Sequence, residues 1–194
     1  MYVEIEPGDY HVLHPRPVYL IASRSSTGRL NVMAASWVTP VSDEPFLIAV
    51  SIWKGSLTYR NVKETGEFTV NVLSSEHVDL AYKAGSVSGR DIDKWSMLGL
   101  KPLPSKLIKT PGVDGALGVL ECTVEGEVPV GESVVFIASV KAIRVKGDLY
   151  AKHGWDLNRT SILMHMHGRV FTSSGRVIVA EKRWGKADKP GGMA

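Results

Sequence analysis

Leu120-Glu-Cys-Thr-Val-Glu-Gly-Glu-Val128 alternates along its length: Leu120, Cys122, Val124 and Val128 fall on one face with Gly126 in register, and Glu121, Thr123, Glu125 and Glu127 on the other. A period of two puts successive side chains on opposite faces of a strand, so this segment reads as a strand with one face on a core and one in water. Working outward, Pro129-Val-Gly-Glu132 turns the chain into residues 133–145. That second strand slips its alternation near Ala142 and Ile143, which predicts a bulge. Upstream, Glu67-Phe-Thr-Val-Asn-Val-Leu73 alternates with Phe68, Val70 and Val72 on one side. Further β-rich runs cover 17–23, 30–38 and 46–53; Ser25-Ser-Thr-Gly28 follows the first as a turn, and Pro40, Asp43 and Pro45 separate the last two. Residues 162–171 and 176–180 complete the set of strands.

Two stretches read as short helices. Residues 56–64 begin with Ser56 in capping position and stop at Gly66, and residues 76–84 follow Ser74-Ser75 and end at Gly85. A long connection between Gly85 and Gly115 is the kind of loop that is either functional or tucked over something. Many short strands with few helices predict a mainly β fold, a β-barrel with short helices, rather than a doubly wound sheet. Closure also removes exposed sheet edges. A single domain over residues 1–184 and a flexible tail over 185–194 are the expected organisation.

The chain has 194 residues, 23 basic and 20 acidic, for a formal charge of +3. Four basic and two acidic residues lie in the last fourteen, so the body is near neutral and offers no basic stripe for nucleic acid. Apolar residues at 44% and charged residues at 22% suit a chain that buries a core. The lone Cys122 fits a reducing compartment, and the acidic start Met1-Tyr-Val-Glu-Ile-Glu-Pro7 has no basic or apolar region of a secretory signal. No run approaches the ~20 apolar residues of a spanning helix. The expectation is a cytoplasmic protein with no membrane and no nucleic-acid partner.

Chemistry concentrates in Ser51-Ile-Trp-Lys-Gly-Ser-Leu-Thr58, which joins an apolar strand to the start of a helix. Helix N-termini offer free N–H groups and a positive dipole end. Here Lys54 adds an ammonium, Ser56 and Thr58 add hydroxyls, and Gly55 permits close backbone approach. That set matches a phosphate, although by spacing alone the plainer reading is Ser56 as a cap and Lys54 as a solvated cation. Asn31-Val-Met-Ala-Ala-Ser-Trp37 mixes small and polar residues inside a core strand, which exposes backbone to a flat ligand or packs tightly on a neighbour. His165 and His167 alternate on one strand face without a nearby carboxylate or thiol, and His11 and His14 add nothing specific, so no metal site is expected. There is no Gly-x-Ser-x-Gly, Gly-x-Gly-x-x-Gly or Walker-type loop, and Cys122 at an inward position reads as inert.

Taken in order, Asn31-Val-Met-Ala-Ala-Ser-Trp37, Glu44-Pro45, Ser51-Ile-Trp-Lys-Gly-Ser-Leu-Thr58 and Thr65-Gly-Glu-Phe-Thr-Val-Asn71 resemble the flavin reductase-like proteins. Ser88-Gly-Arg-Asp-Ile-Asp-Lys-Trp95 followed by Gly99-Leu100 is similar to the segment after the second helix in the flavoredoxin and archaeal ferric reductase branch. The resemblance covers residues 12–145 and implies an FMN-binding split barrel of Greek-key type, a homodimer and one FMN per subunit. It implies that residues 51–58 (Ser51, Ile52, Trp53, Lys54, Ser56, Thr58) hold the FMN phosphate. Met33, Ala34, Ala35, Ser36 and Trp37 would line the isoalloxazine, with Asn31 at its polar edge or ribityl chain. Arg90 and Lys94 would close over the flavin or meet nicotinamide nucleotide phosphates, while Arg90 paired with Asp91 or Asp93 is the ordinary alternative. His153, Trp155 and His165 are unranked candidates to cover the nicotinamide. The implied activity takes hydride from NADH or NADPH and passes electrons to free flavin, ferric complexes or a redox protein partner. A non-enzymatic FMN carrier or storage protein is the alternative, and a β-barrel without flavin the third reading.

Overall fold

A computed structural model describes residues 1–180. The expected flexible tail, 185–194, lies outside the described residues, as does the end of the expected domain at 184. In chain order the elements are β1 (Arg16–Pro17), β2 (Tyr19–Arg24), β3 (Leu30–Ala35), β4 (Val38–Ser42), β5 (Leu47–Trp53), α1 (Leu57–Thr65) and β6 (Glu67–Val72). Next come α2 (Val78–Ser86), α3 (Lys94–Met97), β7 (Pro102–Leu103), β8 (Gly112–Val113), β9 (Gly118–Val130) and β10 (Ser133–Val145). Short β11 (Tyr150–Ala151) and β12 (Gly154–Trp155) precede the hairpin β13 (Leu163–His167) and β14 (Val170–Ser173).

The main sheet has seven antiparallel strands in the order β3-β2-β6-β9-β10-β5-β4. Its two edges, β3 and β4, are consecutive in the chain and separated only by Ser36 and Trp37. Laid flat, seven strands would put those edges about 29 Å apart. Three residue steps reach about 11 Å at most. The sheet therefore curls until the end of β3 reaches the start of β4 at Ser36-Trp37, and among the described residues no ladder bridges the seam between the two edges. β6 pairs with β2 rather than β5, so α1 carries the chain across the barrel in a Greek-key manner.

Strand alternation then fills two cores. Ile21, Ile48, Val50, Ile52, Phe68, Val70, Cys122 and Phe136 point into the barrel, closed at one end by Val62 of α1. Fully burying each large side chain contributes about 1.5–3 kcal/mol. Leu20, Ala22 and Val32 face outward and pack under α2, α3 and the β13–β14 hairpin through Ala81, Ala84, Trp95 and Leu163. Burial pushes the Cys122 thiol up to about 12, which keeps it protonated and inert.

The structure departs from the sequence expectations in definite places. The run 30–38 is broken at Ser36-Trp37 by the seam, and Pro40, expected as a separator, sits in edge strand β4, where no inward ladder donor is required. Glu121, expected to face water, is fully buried: its carboxylate accepts the N–H groups of Lys106 (2.8 Å) and Leu107 (2.8 Å), with Arg144 at 3.5 Å. The long connection folds back onto that face, so it is not wet. A register shift near Glu125 then turns Val128 outward, where it is 53% exposed. The second shift in this pair lies between Val140 and Ala142, one residue from the expected bulge. α2 begins as a 3-10 turn over Ser75–His77 and includes Gly85 within its last turn. Residues 176–180 form no strand.

Candidate functional site

The entry to α1 is built by three neighbours. Ser56 adopts an extended backbone, and its hydroxyl accepts the Tyr59 N–H at 3.0 Å. The N–H groups of Leu57 and Thr58 have no intrahelical acceptor at that position. The Trp53 ring folds over Gly55, where a Cβ would lie 2.2 Å from it, so a side chain at 55 would displace this exposed ring. At the other end, Gly66 closes the helix with φ +67 in the left-handed region.

Thr58, 1% exposed, faces the barrel seam, where Asn31 Nδ2 donates to its Oγ1 at 2.9 Å. Asn31 is itself 2% exposed, and its Oδ1 has no hydrogen-bond partner among the described residues. Both side chains border a cavity of about 380 Å³. Its floor is Asn31, Met33 and Ala34; Trp53 and the first turn of α1 form one wall, and the end of α2 with residues 87–89 forms the other. Gly89 closes against Asn31 so tightly that a Cβ would stand 2.1 Å from Oδ1. Arg29 Nη2 donates to the Gly89 carbonyl at 3.0 Å and holds that loop in place.

Lys94 also lines this cavity, 5% exposed, with Nζ donating to the Ala84 carbonyl at 2.6 Å. Desolvation lowers its pKa from the usual lysine value, while the C-terminal carbonyls of α2 favour a cation there. The Asp93 carboxylate accepts the Trp95 and Ser96 N–H groups and so fixes the turn that carries Lys94.

A second cavity, about 300 Å³, continues along β3 and shares Met33, Ala34 and Trp53 with the first. Ala35, Ser36, Trp37 and Ser51 line it, opposite His14 and His165. Tyr10 stands edge-on to Trp37, ring centroids 5.4 Å apart. A third, of about 580 Å³, touches both, sharing Ala34 and Gly85 with the first and Ala35, Ser36 and His165 with the second. Volumes of this size are those of small-ligand sites. Among the described residues no Asp or Glu lines any of the three, whereas Lys94 and Arg169 do.

The fold thus gathers Asn31, Met33, Ala34, Ala35, Ser36, Trp37, Ser51, Trp53, Ser56, Thr58 and Lys94 around one cleft. Three candidates stand apart from it. Ile52 points into the barrel core and is fully buried, as alternation with Ser51 and Trp53 requires. Lys54 turns to the β9–β10 hairpin, donating from Nζ to the Gly131 carbonyl at 2.7 Å and from its N–H to Glu132 O. Arg90 is exposed and borders none of these cavities. Of the three residues considered for covering a nicotinamide, His165 alone reaches the cleft; Trp155 packs on Tyr150. The sequence reading missed residues 85–89, Tyr10, His14 and Arg169. Glycines flanking a serine run carried the first signal, and long-range pairing of β1 with β13 hides the others.

The histidines also assort differently from expectation. A register shift separates His165 from His167. His167 Nδ1 lies 2.7 Å from His11 Nε2, and the Asp9 carboxylate lies 2.7 Å from His11 Nδ1, whereas His165 packs near His14 with ring centroids 5.6 Å apart. Among the described residues no group of three or more His, Cys, Asp or Glu is arranged to hold a metal ion.

A sequence model of the flavin reductase like domain matches residues 11–174. An uncharacterized protein of Archaeoglobus fulgidus is 33% identical over 162 residues, 84% of this chain and 90% of that protein. Among solved structures, flavoredoxin of Desulfovibrio vulgaris (Miyazaki F) superposes with a TM-score of 0.82 at 26% identity, over 93% of this chain and 98% of that one. The FMN-binding protein from Thermus thermophilus superposes with a TM-score of 0.79 at 22% identity, over 93% of this chain and 98% of that one.

Proposed function

We propose that this chain, which belongs to the flavin reductase-like domain family, holds FMN along β3 and is an NAD(P)H-dependent reductase. Its mainly β architecture is that of the FMN-binding split barrels. The observation that carries the cofactor reading is the roughly 380 Å³ cavity whose lining joins the first turn of α1, with Ser56 and Thr58, to the buried Lys94 and to Met33 and Ala34 of β3. Helix N–H groups and a cation at one end of a groove floored by apolar side chains suit a flat ligand with an anionic tail.

The residues present fit FMN from end to end. The N–H groups of Leu57 and Thr58, which have no intrahelical acceptor, the hydroxyls of Ser56 and Thr58 and the Lys94 ammonium suit a phosphate dianion. Ala34 and Ala35 leave the β3 backbone within reach of a flat ring, and the half-exposed Trp37 and Trp53 give that ring apolar company. When bound, FMN supplies hydride and electron transfer, so the chain needs no nucleophile or metal of its own. The protein's work is to bind, orient and exclude water. NADH or NADPH as hydride donor, and free flavin, a ferric complex or a redox protein as acceptor, belong to the same proposal.

A homodimer belongs to it as well. Beyond Val124, whose N–H donates to the Gly66 carbonyl, β9 pairs with no strand on its β6 side among the described residues, and Trp53, Val128 and Val130 are more than half exposed around that arm. Such a surface suits a second copy of the chain. Among the described residues no helix is long and apolar enough to cross a membrane.

Flavin fluorescence quenching with FMN and with riboflavin tests the phosphate end. FMN is expected to bind at least tenfold more tightly, a preference that Ser56→Ala with Thr58→Ala removes and Lys54→Ala leaves in place. Equal affinity for the two flavins overturns the assignment.

A further inference from the structure

The 3-10 turn Tyr10–Leu13 buries none of its residues, and its backbone hydrogen bonds stay within the N-terminal segment. Among the described residues, residues 9–14 make one hydrogen bond to the rest of the chain: His11 Nε2 meets His167 Nδ1 of the β13–β14 hairpin at 2.7 Å. Asp9 completes the row, its carboxylate accepting the His11 backbone N–H at 3.0 Å and the Nδ1–H at 2.7 Å. Those two bonds hold the Asp9 carboxyl below the ordinary carboxylate range, so one end of the row is a fixed anion. The turn bears on the cleft because Tyr10 and His14 line the cavity that also holds Ser36 and Trp37.

Counting protons shows what the row can do. With Nδ1–H given to Asp9, a neutral His11 has a bare Nε2 that accepts His167 Nδ1–H. One added proton makes His11 a cation that donates to Asp9 and, from Nε2, to a bare His167 Nδ1; the bond survives and is charge-assisted. A second added proton leaves an N–H on each of the two facing nitrogens, with no acceptor between them and two positive rings in contact. On the turn, β1 and the hairpin, the other charged and titratable groups are Asp9, Tyr10, His14, Arg16, His165 and Arg169, of which Asp9 alone is a carboxylic acid. Glu4 and Glu6 precede the turn and pair with neither ring among the described residues. Tyr10 lies on His11 with ring centroids 4.3 Å apart, and His14 stands 5.5 Å from it, so neither side relieves a doubly charged pair.

We infer that His11 and His167 form a proton-operated latch, which holds the turn on the hairpin with at most one added proton and releases it, uncovering the cavity at Trp37, when both rings are charged. The latch itself stands apart from the flavin reading; its consequence for the cofactor rests on that reading, since the uncovered wall is where the ring would sit.

A nitroxide on Val12→Cys, a site 71% exposed, reports the turn in the whole protein, because the buried, protonated Cys122 does not take the label. Its electron paramagnetic resonance line shape is compared at about pH 7.5 and about pH 5, the range across which histidine titrates. The ratio of mobile to restrained label is expected to rise about tenfold in the acidic buffer, the loss of one charge-assisted hydrogen bond. His167→Ala leaves the label mobile in both buffers. His167→Asn, which keeps a donor and an acceptor near the Nδ1 position but cannot titrate, abolishes the response. An unchanged line shape in the parent overturns the inference, and so does a response that survives His167→Asn, which would belong to His14 and His165. Stopped-flow release of FMN, expected to quicken in acid in the parent and not in His167→Asn, reads the consequence; release that stays constant while the turn is mobile overturns the gating. Failure of FMN to bind removes only that consequence, since the nitroxide is read without cofactor.

Discussion

Asn31 donates from Nδ2 to Thr58 Oγ1 at 2.9 Å, joining the barrel seam to the first turn of α1. The bond fixes which way the amide points and sets Oδ1 against Gly89 in the cavity wall. Asn31→Ala removes both functions. We expect FMN affinity to fall about tenfold or more, and stability to fall by about 1–2 kcal/mol because the buried Thr58 hydroxyl loses its donor. Unchanged FMN affinity in a folded Asn31→Ala protein, measured by fluorescence quenching, contradicts this role.

Gly89 and Gly85 border the same cavity but differ in the space beside them. A Cβ at Gly89 meets Asn31 Oδ1 at 2.1 Å and Leu57 at 3.2 Å, whereas one at Gly85 meets the Ala34 Cβ at an ordinary 3.5 Å. Asn31 cannot swing aside without losing Thr58. Gly89→Ala therefore displaces the 87–89 loop and weakens FMN, while Gly85→Ala folds normally and gains up to about 1 kcal/mol from helix propensity. Parallel melting curves and FMN titrations of the two variants check the contrast; equal behaviour would sink it.

Glu121 ties the long connection to β9 through the N–H groups of Lys106 and Leu107. Glu121→Ala leaves those donors and the nearby Arg144 guanidinium without their acceptor, at a cost of about 3–5 kcal/mol. The connection should then open to trypsin at Lys106 and Lys109 before the barrel is cut. Resistance equal to that of the parent protein would show that the carboxylate is not the anchor.

His77 gives a pH dependence of known sign. Burial lowers its pKa from the usual 6.5, and its Nδ1 accepts the Ser74 N–H at 3.2 Å, so the folded state holds the neutral ring. Lys146 disfavours the charged ring and Glu76 favours it. Below 6.5 the unfolded chain takes up a proton that the folded chain refuses. Stability is thus fully present above that pH and declines as pH falls toward the lowered folded value. His77→Asn, which keeps an acceptor but cannot titrate, should shrink the drop in denaturation midpoint between neutral and mildly acidic buffer. An identical drop in both proteins removes His77 as its source.

How far the sequence reached follows from these same residues. Alternation in β6, β9 and β10 and the Ser56 and Gly66 caps of α1 were legible because each is decided within a few residues of chain. The same period-two rule separates Ile52 from Ser51 and Trp53, so its place in the core was readable. Glu121 was not: its face is dry only because residues 104–111 return across it, a contact that local pattern does not encode. Lys54 had two sites within reach, and the hairpin carbonyl of Gly131 took it. The pairing of His11 with His167 spans 156 positions and depends on the β1–β13 ladder, which no spacing in the sequence announces.

The visible absorption spectrum of the purified protein with FMN, recorded without oxygen before and after NADH and then NADPH, bears most directly on the proposed activity. An FMN-dependent reductase shows flavin bands that one of the nucleotides bleaches. Bound flavin that neither nucleotide bleaches would contradict the hydride donor. A protein that stays colourless and gains no thermal stability from FMN would contradict the cofactor itself, since a ligand held only by the native state must raise Tm by mass action.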